Sequence, residues 1–231
     1  MKVVPIIPSL NPDNTLIKII KELRNYYQKI IIVNDGSQDD SIFKKLGIYK
    51  ECIVLNHEEN KGKGEALKTA FRYYLKNLSK EYLGVVCLDS DGQHLLEDVI
   101  RVSKLLEHEN KFILGTRLFN TKETPLRNKV GNRMTSKVFK YFYKVYLKDT
   151  QTGLRAIPNY LLSKIINVPG SRFEYELNVL IMLIKQKEDI IECDINTVYL
   201  ENSNKKSHFK VVKDSVRIYK IMIKGKKNSR L

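Results

Sequence analysis

The sequence predicts an α/β fold, in which helices flank a mostly parallel central sheet. Five short apolar runs alternate with segments of helical periodicity through the first half of the chain, and no hairpin signal joins any two of them. The runs are apolar throughout, which is typical of strands that are buried on both faces. They cover residues 3–7, 30–33, 52–55, 85–88 and 112–114.

The helices between these runs are predicted from apolar spacing and from capping residues. Residues 11–14 form a turn in which Asn or Asp can cap a helix whose apolar residues recur as far as Leu23. A polar cluster ending at Ser41 can cap the next helix. Residues 95–106 have amphipathic spacing, and the helix before them has one apolar face made of Ala66, Leu67, Ala70, Phe71 and Tyr74.

The regular alternation loosens after about residue 120. The following stretch, residues 121–133, is polar and basic and contains Pro125, which predicts a mobile loop. Beyond it we expect two helices and two short strands. The helices cover residues 138–147 and 172–184, and the strands cover residues 190–195 and 198–200.

No break in composition divides the chain, so we expect a single domain over residues 1–208 with an appendage over residues 209–231. The appendage carries Val212, Val216, Tyr219 and Ile223 on one stripe and lysines and arginines elsewhere. This pattern predicts a basic amphipathic helix, a shape suited to an anionic bilayer surface. Packing of the same stripe against the protein's own core is the alternative.

Composition limits the kind of protein. The chain has 231 residues, of which 42% are hydrophobic and 29% charged, as in an ordinary globular protein. Its formal net charge of +15 indicates an anionic partner, although a lysine-rich proteome would give the same balance. The three cysteines form no C-x-x-C pair, and no apolar run could span a bilayer. We therefore expect a cytoplasmic protein, with peripheral contact at the inner face of the cell membrane.

Two acids directly follow the fourth apolar run. Asp89 and Asp91 stand one residue apart where that run ends, and ligands collect at the carboxyl ends of strands in open α/β sheets. Two neighbouring carboxylates repel each other unless a cation lies between them, which suits Mg²⁺ or Mn²⁺ shared with phosphates. Gln93 and His94 are further candidate ligands. An ordinary polar turn is the alternative.

A second strand also ends in an acid, Asp35, which should lie at the same edge of the sheet. The segment Lys61-Gly62-Lys63-Gly64 adds positive charge and a helix amino terminus, which together favour phosphate binding. These features indicate a nucleotide-diphosphate site. Neither the G-x-G-x-x-G pattern nor the G-x-x-x-x-G-K-[ST] pattern is present, so the two common nucleotide motifs are excluded.

Seven short motifs stand in an order known from one enzyme family. They are Pro8-Ser9-Leu10-Asn11, Asn34-Asp35-Gly36-Ser37-Gln38-Asp39, Asn60-Lys61-Gly62-Lys63-Gly64, Asp89-Ser90-Asp91-Gly92-Gln93-His94, Gly115-Thr116-Arg117, Asp149-Thr150-Gln151-Thr152-Gly153-Leu154-Arg155 and Phe173-Glu174-Tyr175-Glu176. In these motifs the chain resembles the family-2 glycosyltransferases of the GT-A fold. It is most similar to their dolichyl-phosphate mannose synthase and polyprenyl-phosphate glycosyltransferase branch.

The resemblance implies an inverting, metal-dependent transfer of a sugar from a nucleotide-diphosphate sugar to a polyprenyl phosphate. The implied nucleotide-sugar site contains Pro8, Asn11, Asp35, Gly36, Lys63 and Asp89. The implied metal ligands, for Mg²⁺ or Mn²⁺, are Asp89, Asp91 and Gln93. The implied acceptor site contains Arg117, Arg127 and Arg133, and the implied catalytic residues are Asp89, Asp91, Arg117 and Asp149.

The nature of the acceptor decides whether a base is needed. A phosphate oxygen is already ionised near neutral pH and needs none, whereas a sugar hydroxyl needs one, for which Asp149 and Glu174 are the candidates. Helix capping or a salt bridge is the alternative role for both acids. Arg127 and Arg133 could likewise be ordinary residues of a solvated basic loop.

The chain departs from the family pattern at three places. Pro12 stands where many members have an acid, and Asn34 replaces the first acid of the D-D-G-S motif. The C-terminal R-x-x-G-x-S-K motif is missing, and residues 199–209 stand in its place. This last difference leaves the sugar donor open. His208 and the pair Lys205-Lys206 could still close over a diphosphate, or form part of a surface loop.

Three other functions compete with this interpretation. A soluble family-2 enzyme could add its sugar to a hydroxyl of a polysaccharide or glycolipid. A nucleic-acid-binding module would cluster basic residues with exposed aromatic residues, whereas the basic residues here are scattered, so we expect no nucleic-acid partner. A sugar nucleotidyltransferase would need a glycine-rich loop after the first strand, which Pro8-Ser9-Leu10-Asn11-Pro12 does not provide.

Overall fold

The computed structural model describes residues 1–118 and 126–196, with the helical backbone alone at residues 126–131, 133, 134 and 138. In chain order its elements are β1 (Val3–Ser9), α1 (Asn14–Leu23), β2 (Ile30–Asn34), α2 (Ser41–Gly47), β3 (Cys52–Asn56), α3 (Lys63–Asn77), β4 (Gly84–Cys87), α4 (Leu96–Glu109), β5 (Phe112–Arg117), α5 (Leu126–Tyr143), β6 (Arg155–Pro158), α6 (Asn159–Ile166), α7 (Glu174–Lys185) and β7 (Ile190–Ile195).

The strands of these described residues form one sheet, in the order β3-β2-β1-β4-β6-β5-β7. Strands β1, β2, β3 and β4 pair in parallel, as do β5 and β7. Only β6, among the described strands, runs antiparallel to both of its neighbours. The prediction of a mostly parallel sheet is therefore confirmed.

Successive side chains along a strand pack alternately into two separate hydrophobic cores, one on each face of the sheet. On β1, Val4 and Ile6 belong to the core beneath α3, α6 and α7. Val3 and Ile7 belong to the other core, which α1, α2 and α4 cover. Because side chains alternate between the two faces of a strand, a strand covered on both sides must be apolar at every position. This explains the continuous apolar runs of the sequence.

The helices at the amino-terminal half begin as the sequence predicts. Asp13 caps α1 by accepting a 2.9 Å hydrogen bond from the backbone N–H of Thr15. The helix then buries Leu16, Ile20 and Leu23 against the sheet. Its capping acid thus satisfies one of the otherwise unpaired N–H groups of the first turn.

The prediction of a loop over residues 121–133 is wrong from Leu126 onward, because α5 begins there. Its lysines and arginines are good helix formers, and a helix often starts just after a proline. The predicted helix over residues 138–147 also ends early, since Lys144 adopts a left-handed φ of 61° and donates its N–H to Lys140 O at 3.0 Å. That geometry terminates a helix.

The sequence pattern did not reveal β6 and α6. Arg155–Pro158 spans four residues between a polar turn and α6, which is too short for its periodicity to stand out. The strand nevertheless completes the sheet by joining β4 to β5. The predicted strand at 198–200 and the predicted helix at 209–223 lie outside the described residues. Among the described helices, none has the length and hydropathy to cross a membrane.

Candidate active site

Asp35 follows β2 and is buried beneath the loop that leads into α3. Its carboxylate accepts hydrogen bonds from the backbone N–H groups of Lys61 and Gly62, at 3.0 and 2.9 Å. The ring of His57 lies between Asp35 and Thr69, with Nδ1 2.7 Å from the carboxylate and Nε2 2.9 Å from the hydroxyl oxygen. The two ring nitrogens of His57 thus link the Asp35 carboxylate to the Thr69 hydroxyl. Asp35 therefore anchors the loop before α3.

Amide side chains hold the loop that follows β2. Asn34 donates from Nδ2 to Asn56 Oδ1 at 3.1 Å and accepts the N–H of Ser37 at 2.9 Å. Asn11, at a left-handed φ of 48°, donates its N–H to Ser37 Oγ and accepts the N–H of Gln38. An acid at position 34, as in the family pattern, could not donate to Asn56. The departure from that pattern is thus matched by a hydrogen bond of this chain.

Two more residues of the predicted nucleotide site lie beside these loops. Pro8 is buried on β1 and pairs in register with Val33 of β2. Gly36 has a φ of 72°, and a Cβ atom added to it would lie 2.2 Å from the carbonyl carbon of Glu59. Only glycine permits this approach, so Gly36 lets the loop after β2 lie directly against the loop before α3.

Lys63, the first residue of α3, lies between two carboxylates from different parts of the chain. Its Nζ is 2.7 Å from Asp89 Oδ1, beyond the end of β4, and 2.8 Å from Glu176 Oε2, on the first turn of α7. The Lys63 side chain is only 14% exposed. Burial alone would lower the pKa of Lys63, but the two carboxylates raise it above its ordinary value, so the side chain is a cation.

His94 approaches Asp89 from the other side. Its Nε2 lies 3.5 Å from Asp89 Oδ2, within ion-pair range but outside hydrogen-bond geometry. Burial would raise the pKa of Asp89, yet Lys63 and His94 together hold that pKa far below its ordinary range. Asp89 is therefore ionised and has its two oxygens directed at two different basic groups.

Asp91 is exposed at the surface of the same edge. Crowding by protein atoms and the negative charge of Asp89 raise the pKa of Asp91, and its Oδ1 accepts the backbone N–H of Gln93 at 3.1 Å. The mutual repulsion of two neighbouring carboxylates is relieved when a cation lies between them. Within residues 1–118 and 126–196 no three acidic, histidine or cysteine side chains form a metal cage. Asp89 and Asp91 fit a divalent cation that is shared with phosphates.

Gly153 lies directly against Asp89, and Arg155 holds the turn that contains Gly153. A Cβ atom on Gly153 would lie 2.2 Å from Asp89 Oδ2, so the carboxylate occupies the space that any other residue would fill. Arg155 is buried and donates to the carbonyl oxygens of Thr150, Thr152 and Glu176. The buried guanidinium thus joins the turn at residues 150–153 to the first turn of α7.

Arg117 ends β5 and is held by a fully buried acid, Asp149. Its Nε and NH2 groups donate to the two oxygens of Asp149 at 2.6 and 3.0 Å, in a bidentate pair. Asp149 also accepts the backbone N–H groups of Arg117 and Gln151, at 3.3 and 2.9 Å. All four contacts come from protein donors, so the carboxylate is fully engaged in holding Arg117 and the turn beside it.

The remaining predicted site residues divide into two groups. Glu174 accepts the backbone N–H groups of Ser171 and Arg172 at 3.3 and 3.4 Å and so holds the turn that precedes α7. Arg127 and Arg133 lie on α5, and their side chains are outside what the structure describes. The structure thus brings Asp89, Asp91 and Lys63 together, and it places Arg117 on Asp149.

Sequence reasoning missed His57, Gly153, Arg155 and Glu176 as parts of this arrangement. Three of them stand inside or beside motifs that had been noticed, but their partners are distant in sequence. His57 follows β3 in the same way as Asp35 follows β2, and β2 and β3 are neighbours in the sheet. That symmetry of strand ends was the available signal for His57.

The sequence matches the model of glycosyl transferase family 2 over residues 6–164. A UDP-N-acetylglucosamine–dolichyl-phosphate N-acetylglucosaminyltransferase of Methanococcus voltae is 33% identical over 223 residues, which cover 86% of this chain and 86% of the relative. A dolichyl-phosphate beta-glucosyltransferase of Saccharomyces cerevisiae is 26% identical over 229 residues, which cover 83% of this chain and 65% of the relative.

The fold also has solved counterparts. A glucosyl-3-phosphoglycerate synthase of Mycobacterium tuberculosis, crystallised with Mn²⁺, UDP-glucose and phosphoglyceric acid, superposes with a TM-score of 0.73 at 16% identity. The superposition covers 97% of this chain and 79% of that one. The likeness concerns the fold and agrees with the GT-A architecture that the motifs imply. The match to the family model over residues 6–164 shows that the chain belongs to glycosyl transferase family 2.

Proposed function

We propose that the protein transfers a sugar from a nucleotide-diphosphate sugar to a polyprenyl phosphate, with inversion at the anomeric carbon. The observation that carries the choice of acceptor is the state of the two candidate bases. Asp149 is occupied by Arg117, and Glu174 holds the turn that precedes α7. A hydroxyl acceptor would need one of them to remove its proton, whereas an ionised phosphate oxygen needs neither.

The transfer would then require no proton to move. The acceptor phosphate oxygen bonds to the anomeric carbon while the bond from that carbon to the diphosphate breaks, and the electron pair leaves with the nucleotide diphosphate. Arg117, with its orientation fixed by Asp149, is suited to hold the acceptor phosphate, because guanidinium groups bind phosphate in a bidentate manner. Arg127 and Arg133 are proposed to join it from α5.

The donor side is proposed to use the edge formed by the ends of β1, β2 and β4. Asp89 and Asp91, with Gln93 beside them, would hold a divalent cation, Mg²⁺ or Mn²⁺, which offsets the charge that develops on the departing diphosphate. The proposed nucleotide pocket contains Pro8, Asn11, Gly36 and the loop anchored by Asp35. In this proposal Asp35 shapes the pocket through Lys61 and Gly62 as well as facing the nucleoside.

The relatives suggest which donor to test first. The Methanococcus voltae relative is named for UDP-N-acetylglucosamine and dolichyl phosphate, and the yeast relative for glucosyl transfer to dolichyl phosphate. We therefore propose a UDP-sugar as donor, with N-acetylglucosamine ahead of glucose. A lipid acceptor would bring the protein to the inner face of the membrane. We propose that residues 209–231, or a membrane partner protein, provide this contact.

The test is a comparison of Asp91→Ala with a matched surface variant, Asp189→Asn. Asp189 has no role in the proposed reaction and forms an exposed ion pair with Lys111. Exposed ion pairs of this kind contribute little to the free energy of unfolding. Asp91→Ala should abolish metal-dependent transfer to a short-chain polyprenyl phosphate while the thermal unfolding midpoint stays unchanged. Asp189→Asn should behave as the wild type. Normal turnover by folded Asp91→Ala would overturn the assignment of the metal site.

A further inference from the structure

Glu176 is the one acid of the site to which the sequence assigned no role. It lies on the first turn of α7, with a side chain that is 12% exposed. Its Oε2 contacts Lys63 at 2.8 Å, and the same ammonium contacts Asp89 at 2.7 Å. One lysine is therefore shared between a carboxylate at the proposed metal site and a second carboxylate behind it.

The second oxygen of Glu176 has an unusual environment. Among the described residues, Oε1 is buried and makes no hydrogen bond, and Arg155 Nε lies 4.0 Å away. The guanidinium of Arg155 donates its hydrogen bonds to three backbone carbonyl groups, including that of Glu176 itself. A buried carboxylate with an unsatisfied oxygen is unfavourable unless cations lie close by. Lys63 at 2.8 Å and Arg155 at 4.0 Å are such cations, so the Glu176 carboxylate depends on these two basic groups.

We propose that Glu176 is a positioning residue that acts on Asp89 through Lys63. Because Glu176 shares the Lys63 ammonium with Asp89, the negative charge of Asp89 is only partly neutralised. Asp89 can therefore still attract a divalent cation and its diphosphate. Glu176 does not contact the donor. The inference deepens the proposed function and rests on it, because it takes Asp89 and Asp91 to face the cation.

The consequence of removing the Glu176 charge follows from the geometry. In Glu176→Gln the Lys63 ammonium has Asp89 as its remaining carboxylate partner, and the site becomes more positive by one charge. A divalent cation is then repelled more strongly and competes less well for Asp89. Loss of an outer partner of a metal ligand typically weakens metal affinity by about 10- to 100-fold. We expect about a tenfold weaker affinity for Mn²⁺ in the presence of UDP.

The experiment is an electron paramagnetic resonance titration of free Mn²⁺ against the full-length protein with saturating UDP. The matched control is Glu65→Gln, which removes the same charge two residues from Lys63, on α3, where Glu65 pairs with Lys68. Glu65→Gln should bind Mn²⁺ as the wild type does. Glu176→Asp keeps the charge and should bind Mn²⁺ within about threefold of the wild type. Equal weakening in Glu176→Asp and Glu176→Gln would mean that shape matters and charge does not, and would overturn the proposal.

A double variant tests whether the effect passes through Lys63, and it also serves if Glu176→Gln alone does not fold. Lys63→Gln combined with Glu176→Gln removes both charges of the inner pair, so Asp89 no longer has an ammonium against it. Mn²⁺ affinity should return to the wild-type value or exceed it. An affinity as weak as in Glu176→Gln would refute the coupling.

Failure of this inference can be told apart from failure of the proposed function. Wild-type binding of Mn²⁺ that Asp91→Ala abolishes and Glu176→Gln leaves unchanged would overturn the role of Glu176 alone. Absence of UDP-dependent Mn²⁺ binding in the wild type would overturn the metal site and the role of Glu176 together.

Discussion

Replacing Asp149 with asparagine separates a positioning role from a catalytic base. Asp149 is completely buried and binds Arg117 through two charge-assisted hydrogen bonds, at 2.6 and 3.0 Å. Removing one charge of a buried pair typically costs about 3–5 kcal/mol, because the other charge stays buried and unpaired. Asparagine retains one acceptor oxygen and Arg117 is 15% exposed, so we expect the lower end, about 3 kcal/mol of the free energy of unfolding.

Urea denaturation measures that loss of stability. Steady-state kinetics distinguish a positioning role of Asp149 from that of a catalytic base. In Asp149→Asn the acceptor KM should rise by about tenfold or more, because Arg117 loses its orientation, while UDP affinity stays unchanged. A base would instead show a kcat lowered by about 10²- to 10⁴-fold with an unchanged acceptor KM. That second pattern would show that Asp149 acts as a base and not as a positioning residue. The control is Asp194→Asn, which removes an exposed ion-pair partner of Lys148, the residue that directly precedes Asp149.

Three further predictions concern packing, hydrogen bonding and pH. In Gly153→Ala the new Cβ atom would lie 2.2 Å from Asp89 Oδ2. Donor turnover should therefore fall by at least about tenfold, and the free energy of unfolding by about 1–3 kcal/mol. Unchanged kinetics would contradict this placement of Asp89. Asn34→Ala removes both the donor to Asn56 and the acceptor of the Ser37 N–H, and chemical denaturation should show a loss of about 1–3 kcal/mol, whereas equal stability would argue against these bonds. Burial raises the pKa of Tyr27 from 10.0 to about 12. The contribution of the buried, neutral tyrosine to the free energy of unfolding is therefore complete below pH 10 and is lost as the pH rises through about 12. Between pH 9 and pH 11 the wild type should therefore lose about 1.3 kcal/mol more than Tyr27→Phe, and parallel curves would refute the shift.

The sheet could be predicted because its information is local. Strands β1, β2, β3 and β4 are apolar runs, and each is followed directly by polar residues. Asp35 and Asp89 were expected at one edge for that reason, since β2, β1 and β4 are neighbouring parallel strands. The short antiparallel β6 was missed because four residues carry too little periodicity.

The roles of individual side chains were harder to predict, since they depend on contacts between distant segments. Glu176 meets Lys63 only because α7 packs against α3, and no spacing rule relates the two positions. Asp149 stands within a recognised motif, yet its burial and its four donors become visible only in the fold. Sequence patterns thus predicted that Asp35 and Asp89 share one edge of the sheet, and packing decides which acids at that edge are held by protein donors.

The most direct test of the account measures transfer itself. The wild-type protein would be incubated with UDP-N-acetylglucosamine, UDP-glucose, GDP-mannose or a dTDP-sugar and with Mn²⁺ or Mg²⁺, with and without short-chain polyprenyl phosphate. The account predicts metal-dependent appearance of the sugar on the lipid phosphate, with a UDP-sugar as the best donor. Metal-dependent donor consumption that ignores the lipid, or transfer to a glycan hydroxyl alone, would contradict it.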